Sequence, residues 1–234
     1  MSASARRWTL GTTAAVVLIL LLSWALPGCS FNVSCGSDEP TGGAKGPDGV
    51  ETYTDPDFGY SFAYPADWVL DEDSAADIEG GIAASKGVSV HDPEGARGDK
   101  YYIDLFQVSI YELNITVDAS TLPEVKPQLE EMIVGIGSQD SSWKVLEPLS
   151  DATVGGLSGF ETLVTHLMDG EQVNSRLYFL FDGGTEYELM LQAATESWDA
   201  IQPDFETILA GFKPGAATDA GAGAGAETTA STSR

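Results

Sequence analysis

The chain has 234 residues, with 36 acidic against 11 basic side chains, a formal charge of −25 at pH 7 and 43% hydrophobic residues. A chain this acidic is repelled by nucleic-acid phosphates, and beyond Arg6-Arg7 its Lys and Arg stand singly with no cluster to displace counterions, so nucleic acid is excluded as a partner. Its two cysteines, Cys29 and Cys35, both lie near the N-terminus, so the rest of the chain has neither a disulfide framework nor a cysteine-based metal site.

Arg6 and Arg7 precede an apolar run from Leu10 to Leu26 that closes on Pro27-Gly28-Cys29. Cations held on the cytoplasmic side, an apolar stretch entering the bilayer and a small residue before a cysteine are the parts of an export signal. Residues 1–28 are therefore expected to be a lipoprotein signal peptide, with Leu26, Gly28 and Cys29 in the cleavage box, Cys29 as the lipid-attachment residue, and Pro27 an unusual occupant of its slot. Two alternatives stay open. Trp8 to Gly28 is long enough for an uncleaved anchor, since a bilayer core needs roughly 20 residues. Ordinary cleavage would leave Cys29 and Cys35 free to pair in an oxidising exterior. A twin-arginine signal fits poorly, because Thr9 stands where an aromatic residue is expected. Every reading places the bulk of the chain outside the cytoplasm, and the lipoprotein reading places it lipid-anchored at the extracytoplasmic face of the cell membrane. Loss of residues 1–28 removes two arginines and no acid, taking the charge from −25 to −27. Membrane contact is thus expected from the N-terminal lipid or helix and not from a basic face.

Residues 29–49 are rich in Gly and Pro without apolar periodicity and read as a flexible tether. Residues 214–234 are nearly all Ala, Gly, Thr and Ser, a composition that buries too little apolar surface to offset the entropy of ordering, and are expected to be disordered. Residues 50–213 remain as one domain, of a size that buries about 70% of its unfolded surface without staples.

Within that domain Phe58, Tyr60, Phe62 and Tyr64 alternate with smaller residues, the period of a half-buried strand, which Pro65 ends. Further strands are expected at Ile82–Val90 and Tyr101–Tyr111, with the Gly- and Asp-rich stretch from His91 to Asp99 as the loop between them. The period then changes: Val125, Leu129, Met132, Ile133 and Ile136 form one helical stripe, predicting a helix over 121–136. Strands resume at Trp143–Leu149, Phe160–Met168, Val173–Asp182 and Tyr187–Ala194, with turn signals at Asp169-Gly170 and Asp182-Gly183-Gly184 that make the last three antiparallel neighbours. Trp198, Ile201, Phe205, Ile208, Leu209 and Phe212 line a closing helix over 196–211. The expected fold is α+β, a single antiparallel β-sheet covered by helices.

The passage Asp57-Phe-Gly-Tyr-Ser-Phe-Ala-Tyr-Pro-Ala-Asp-Trp68 resembles the opening strand and turn of the PsbP-like superfamily, which includes LpqN-type and DcrB-type bacterial envelope lipoproteins. The ending Tyr187-Glu-Leu, Trp198, Phe205, Ile208-Leu209 and Gly211-Phe212-Lys213 is similar to that superfamily's last strand and helix. The resemblance implies a PsbP-like α/β/α sandwich over most of residues 51–213, acting as a non-catalytic accessory or binding domain. It implies no active site.

The residues themselves offer little catalytic chemistry. Gly156-Leu-Ser158-Gly159-Phe160 has Phe where a nucleophile elbow needs Gly, and reads as a turn before a strand. His91 falls in a loop and His166 in a strand, where a lone histidine is packed or hydrogen-bonded. Asp71-Glu72-Asp73 with Asp77 lacks the Gly and the closing Glu of a calcium loop and reads as a solvated acidic turn. Gly42-Gly43, Gly155-Gly156 and Gly183-Gly184 match no phosphate-cradling pattern. Asp104 and Arg176 are the oddities, each in phase with apolar neighbours. Each is expected at a strand end reaching solvent, with a groove walled by Tyr101, Tyr102, Tyr178 and Phe179 as the alternative. No catalytic residue, metal ligand or cofactor is assigned. The chain is expected to be no enzyme, and its partner an envelope protein or a small ligand. A carboxylate pair serving an envelope hydrolase or transferase is the competing reading.

Overall fold

The computed structural model describes residues 49–72, 86–99 and 101–215. The signal, Cys29, nearly all of the tether, Gly42-Gly43, Asp73, Asp77, residues 82–85 of the second expected strand and the tail beyond Gly215 lie outside the described residues.

The chain opens on a hairpin of β1 (Val50–Thr54) and β2 (Ser61–Pro65), paired antiparallel with Tyr53 opposite Phe62. Its loop is wound around Asp55. One carboxylate oxygen accepts the Asp57 and Phe58 N–H groups at 2.9 and 2.6 Å, and the other accepts the Tyr53 hydroxyl at 3.1 Å. This local turn delays the strand to Ser61, three residues after the alternation begins at Phe58. After the helices, Lys213 exchanges both backbone hydrogen bonds with Ser61, and Gly215 is buried against Phe58. Packing thus reaches two residues past the expected domain end.

The remaining strands are β3 (Val69–Asp71), β4 (Lys86–His91), β5 (Leu105–Val117), β6 (Lys144–Val154), β7 (Leu157–Met168) and β8 (Glu171–Ala194). They form a second, antiparallel sheet in the order β3-β4-β5-β8-β7-β6, so one expected sheet is in fact two. The strand expected from Tyr101 starts at Leu105, because residues 102–104 are bonded into the preceding loop. Tyr102 bridges to Arg97, Ile103 N–H donates to Ala96 O at 2.9 Å, and Asp104 O accepts Asp92 N–H at 3.0 Å. Strands β6 and β7 run to a two-residue turn at Gly155-Gly156, with Val154 opposite Leu157, which lengthens both beyond their expected ends at Leu149 and Phe160.

Strand β8 is a 24-residue run of extended backbone that a straight path would stretch over roughly 75 Å. Its ends instead meet: Thr195 N–H donates to Gln172 O at 2.9 Å, and the Ser175 hydroxyl donates to Gln192 Oε1 at 3.2 Å. β8 therefore doubles back on itself, and that register leaves Gly183-Gly184 between Asp182 and Thr185. Gly183 has φ +59°, the positive angle required at the first central residue of a type II′ hairpin turn. The first limb pairs with β7 and the second with β5. These limbs are the strands expected at 173–182 and 187–194.

Helix α1 (Leu122–Gln139) lies on one face of this sheet, where Leu129 and Ile133 pack on Phe160, Val164, Leu177, Phe179 and Phe181. Helix α2 (Trp198–Gly211) and the β1-β2 hairpin cover the other, where Phe62, Ile201, Phe205 and Phe212 meet Phe106, Val108, Leu189 and Leu191. The fold is α+β, antiparallel, with layers on both faces. The two helical stripes were legible because each is the buried side of a surface helix.

Gly159 on β7 pairs with Leu180, and a Cβ there would overlap the Phe179 carbonyl. Gly159→Ala is expected to lower unfolding stability by about 2 kcal/mol or more in urea titration. Gly135→Ala in α1, where a Cβ meets nothing within 4 Å, should raise it by up to about 1 kcal/mol.

Candidate functional site

Most of the polar side chains buried in the domain hold the fold together. Asp104, expected at a solvent-reaching strand end, is only 2% exposed. Its Oδ1 accepts Ala194 N–H at 2.9 Å and the Ser197 hydroxyl at 3.0 Å, and its Oδ2 accepts Ala96 N–H at 3.1 Å. It ties the β4-β5 loop to the end of β8 and to the start of α2, where an anion also meets the positive end of the helix. Arg176 lies opposite Leu163 in mid-sheet, not at a strand end. Its guanidinium forks onto Glu147 at 3.0 and 3.2 Å and reaches Glu161 at 3.3 Å.

His166 meets Ser175 through Nε2 at 3.3 Å, the spacing of a base and nucleophile. The direction is wrong for catalysis. Gln192 Nε2 donates to Ile103 O at 3.3 Å, which turns Gln192 Oε1 toward Ser175, and the Ser175 hydroxyl spends its one proton on that oxygen. His166 must then donate to Ser175, so it cannot act as a base toward it. Both residues are buried, and burial holds the His166 pKa below its ordinary value. His91 is stacked face to face on Tyr102 with ring centroids 3.5 Å apart, and Arg97 lies 4.3 Å over the other side of that ring. The four aromatics proposed as groove walls do not converge. Tyr178 and Phe179 are successive strand residues, one in the α2-side core and the other in the α1-side core.

The second limb of β8 carries what the sequence reading missed. Its residues on the α2 side, Tyr187, Leu189, Leu191 and Ala193, are apolar and buried. On the α1 side stand Glu186, Glu188, Met190 and Gln192, paired across to Tyr111, Ser109, Gln107 and Leu105 of β5. Hydrophobic residues of α1 cover the first limb, β6 and β7, so the same face divides into an apolar half under the helix and a polar half beside it. At the seam Glu186 is 1% exposed, and its Oε1 has no hydrogen-bond partner among the described residues. Burial pushes the Glu186 carboxyl up to about 8, with the neighbouring Glu188 carboxylate adding to the rise. Burial raises Glu188 to about 7, against the Tyr111 hydroxyl that donates to it. Glu188, Ser109 and Tyr111 are half-buried, so the pair meets solvent on that side. The alternation in Thr185-Glu-Tyr-Glu-Leu-Met-Leu-Gln192 was the available signal; it reads as an ordinary strand with a wet face.

Among the described residues no group of three or more His, Cys, Asp or Glu is arranged to hold a metal ion. No described helix is long and apolar enough to cross a membrane.

No family model and no curated protein matches the sequence. Solved structures of similar fold include the cyanobacterial PsbP of Synechocystis sp., with 18% identity over 77% of this chain and 97% of that one and a TM-score of 0.46. LpqN, described as involved in cell envelope biogenesis of Mycobacterium tuberculosis, has 15% identity over 71% of this chain and 92% of its own, with a TM-score of 0.42. A crystal structure from Bacteroides thetaiotaomicron has 14% identity and a TM-score of 0.43 over 71% of this chain, which spans about half, 48%, of that protein. All three likenesses lie between 14 and 18% identity.

Two outcomes follow from the polar groups. Asp104→Ala strands three donors and should cost about 3 kcal/mol in denaturant unfolding. The pH dependence has a defined sign. His91 and His166, both lowered by burial, contribute a rise in stability with pH that fades above about 6.5, the pKa at which the unfolded imidazoles are half deprotonated. Glu186 and Glu188 keep their protons in the folded chain after the unfolded carboxyls have ionised, so their contribution falls from about pH 4.5 upward, against the histidine rise below 6.5 and with little opposition above it. From pH 6.5 to 8 unfolding stability should drop by about 2 kcal/mol in urea titrations, and Glu186→Gln should remove most of that drop.

Proposed function

We propose that the chain is an exported lipoprotein, anchored through Cys29 at the extracytoplasmic face of the cell membrane, whose domain is an accessory module that binds an envelope protein or small ligand and performs no catalysis. The observation that carries this reading is the polar half-face beside α1, with its buried, unsatisfied Glu186. Such a surface has been kept polar at a cost to stability, and an acceptor without a donor is completed by something that binds.

The competing reading, a hydrolase or transferase using a carboxylate pair, has one observation in its favour: Glu186 and Glu188 are close and both raised. The geometry weighs against it. Carboxyls that cleave a glycosidic bond stand on opposite sides of it, whereas these leave the same face of one strand, two residues and roughly 7 Å apart. They form a clasp around one group, with the inner member closed to bulk solvent.

Anchoring and binding are tested together. Full-length protein and a Cys29→Ala form carrying a cleavable secretory signal are expressed in parallel. The wild-type N-terminus should carry a diacylated Cys29 by mass spectrometry, and affinity capture from native membranes should recover a bound component. A tether of about twenty residues has a root-mean-square reach of roughly 25 Å, so the partner is expected at the membrane. The released form should bind the same component only at raised concentration, through lost effective concentration. An intact Met1, or turnover of an envelope substrate abolished by Glu186→Gln and Glu188→Gln without unfolding, would reverse the reading.

A further inference from the structure

Resting on the binding reading, the seam between the two halves of the α1 face indicates which chemistry is bound. We infer that Glu186 and Glu188 form the head-group site for a small organic ammonium ion, whose aliphatic part lies toward the apolar residues under α1.

Four observations converge on it. Glu186 Oε1 is an acceptor that is buried and has no donor among the described residues, and a buried oxygen of that kind is completed by an N–H or O–H from outside them. Glu188 stands two residues on, on the same face, and is half-buried beside Ser109 and Tyr111 of β5, which are half-buried as well. Among the described residues the charge that bears on Glu186 is the like charge of Glu188. Every basic side chain that a described ion pair contains is engaged elsewhere, Lys126 with Asp151 and Arg176 with Glu147 and Glu161. Finally, the residues around the pair are apolar on the helix side: by the register of the two limbs Glu186 lies opposite Phe181 and Glu188 opposite Phe179, and Leu113 and Met190 pack into the same cluster. A dry wall beside two acids suits a cation that carries its own hydrocarbon, and repels phosphates, carboxylates and nucleotides. A divalent metal suits it less, since two carboxyls without a third protein carboxylate or imidazole leave most of an oxygen shell to water.

The raised pKa values of the two carboxyls give this site a signature that attraction to the acidic surface lacks. Below pH 8 Glu186 carries a proton, so a bound ammonium must displace it: the cation enters, the carboxyl ionises, and the proton leaves to solvent. Surface carboxylates are already ionised at pH 6 and release nothing.

The test uses hexylamine as the probe, 1-hexanol as the neutral control of equal length, and the full-length protein. Calorimetric titration of hexylamine in buffers of different ionisation enthalpy should show one site and release of about one proton per ligand at pH 7, with affinity rising about tenfold between pH 6 and pH 7. Hexanol should bind at least tenfold more weakly at pH 8 and without proton release. Glu186→Gln should abolish the pH rise and weaken hexylamine at least tenfold. Glu188→Gln serves as the second variant: it keeps the inner acid, and proton release should persist with reduced affinity. Hexylamine affinity that is flat from pH 6 to pH 8, equal binding of hexanol, or proton release driven by calcium chloride alone would each overturn the assignment. A membrane partner whose binding is unchanged in Glu186→Gln and uncontested by hexylamine would also overturn it, while leaving the binding reading in place.

Discussion

The reversal of β8 at Gly183 is the constraint on which the rest of the domain depends. Each limb of that hairpin is paired on its outer side, the first with β7 and the second with β5, so the turn is a direct hairpin link between the β3-β4-β5 half of the sheet and the β6-β7 half. Because successive residues alternate faces, the four stripes of the two limbs decide what each layer finds beneath it. Two of them are apolar along most of their length, Tyr187, Leu189 and Leu191 under α2 and the hairpin and Leu177, Phe179 and Phe181 under α1, while the third is apolar only at Tyr178 and Leu180 and polar at Gln172, Asn174 and Arg176. The fourth is Glu186, Glu188, Met190 and Gln192. A single strand thereby fixes both where the helices rest and where they do not.

Asp104 plays the matching role at the far end of the hairpin, where burial of a carboxyl needs several donors at once to offset lost hydration. The Ala194 N–H lies just past the last residue of the second limb's ladder and the Ser197 hydroxyl is at the start of α2. A third donor, Ala96 N–H, comes from the β4-β5 loop. The His166, Ser175 and Gln192 chain runs alongside, joining the two limbs to Ile103 of the same loop. These are satisfied groups in a region where strand pairing gives way to loop, and they specify how α2 leaves the sheet.

The fold class was legible because it rests on periodicities that are local: the alternating aromatics of β2, the stripes of α1 and α2, and turn residues at Asp169-Gly170 and Gly183-Gly184. What was not legible was long-range pairing. The separation of β1-β2 from the larger sheet arises from a loop wound on Asp55 and from Lys213 returning to Ser61 across most of the chain. The position of Asp104 depends on Ala194 and Ser197, some ninety residues distant. Arg176 in phase with Tyr178 signalled an anomaly, but its partners Glu147 and Glu161 sit on two other strands whose register no local pattern sets. The same holds for Glu186. In sequence it is one polar member of an alternating strand, and nothing within a few residues distinguishes a wet face from a buried seam.

That seam is where local and global preferences disagree. An apolar residue at 186 would complete the cluster formed by Leu113, Val117, Phe179 and Phe181 and would avoid burying an acceptor with no donor among the described residues. The carboxyl instead stays, next to a second acid, in a chain already carrying a net charge of −25. Ionising it in isolation is opposed by burial and by Glu188, so in the free domain it is held neutral near pH 7. Asp104 shows that this fold satisfies a buried carboxyl fully when its role is to brace the structure, with a donor for each direction. Glu186 has been left short of one. The contrast between the two residues, one saturated and one incomplete within the same sheet, separates a structural acid from an acid that waits for a donor from outside the chain.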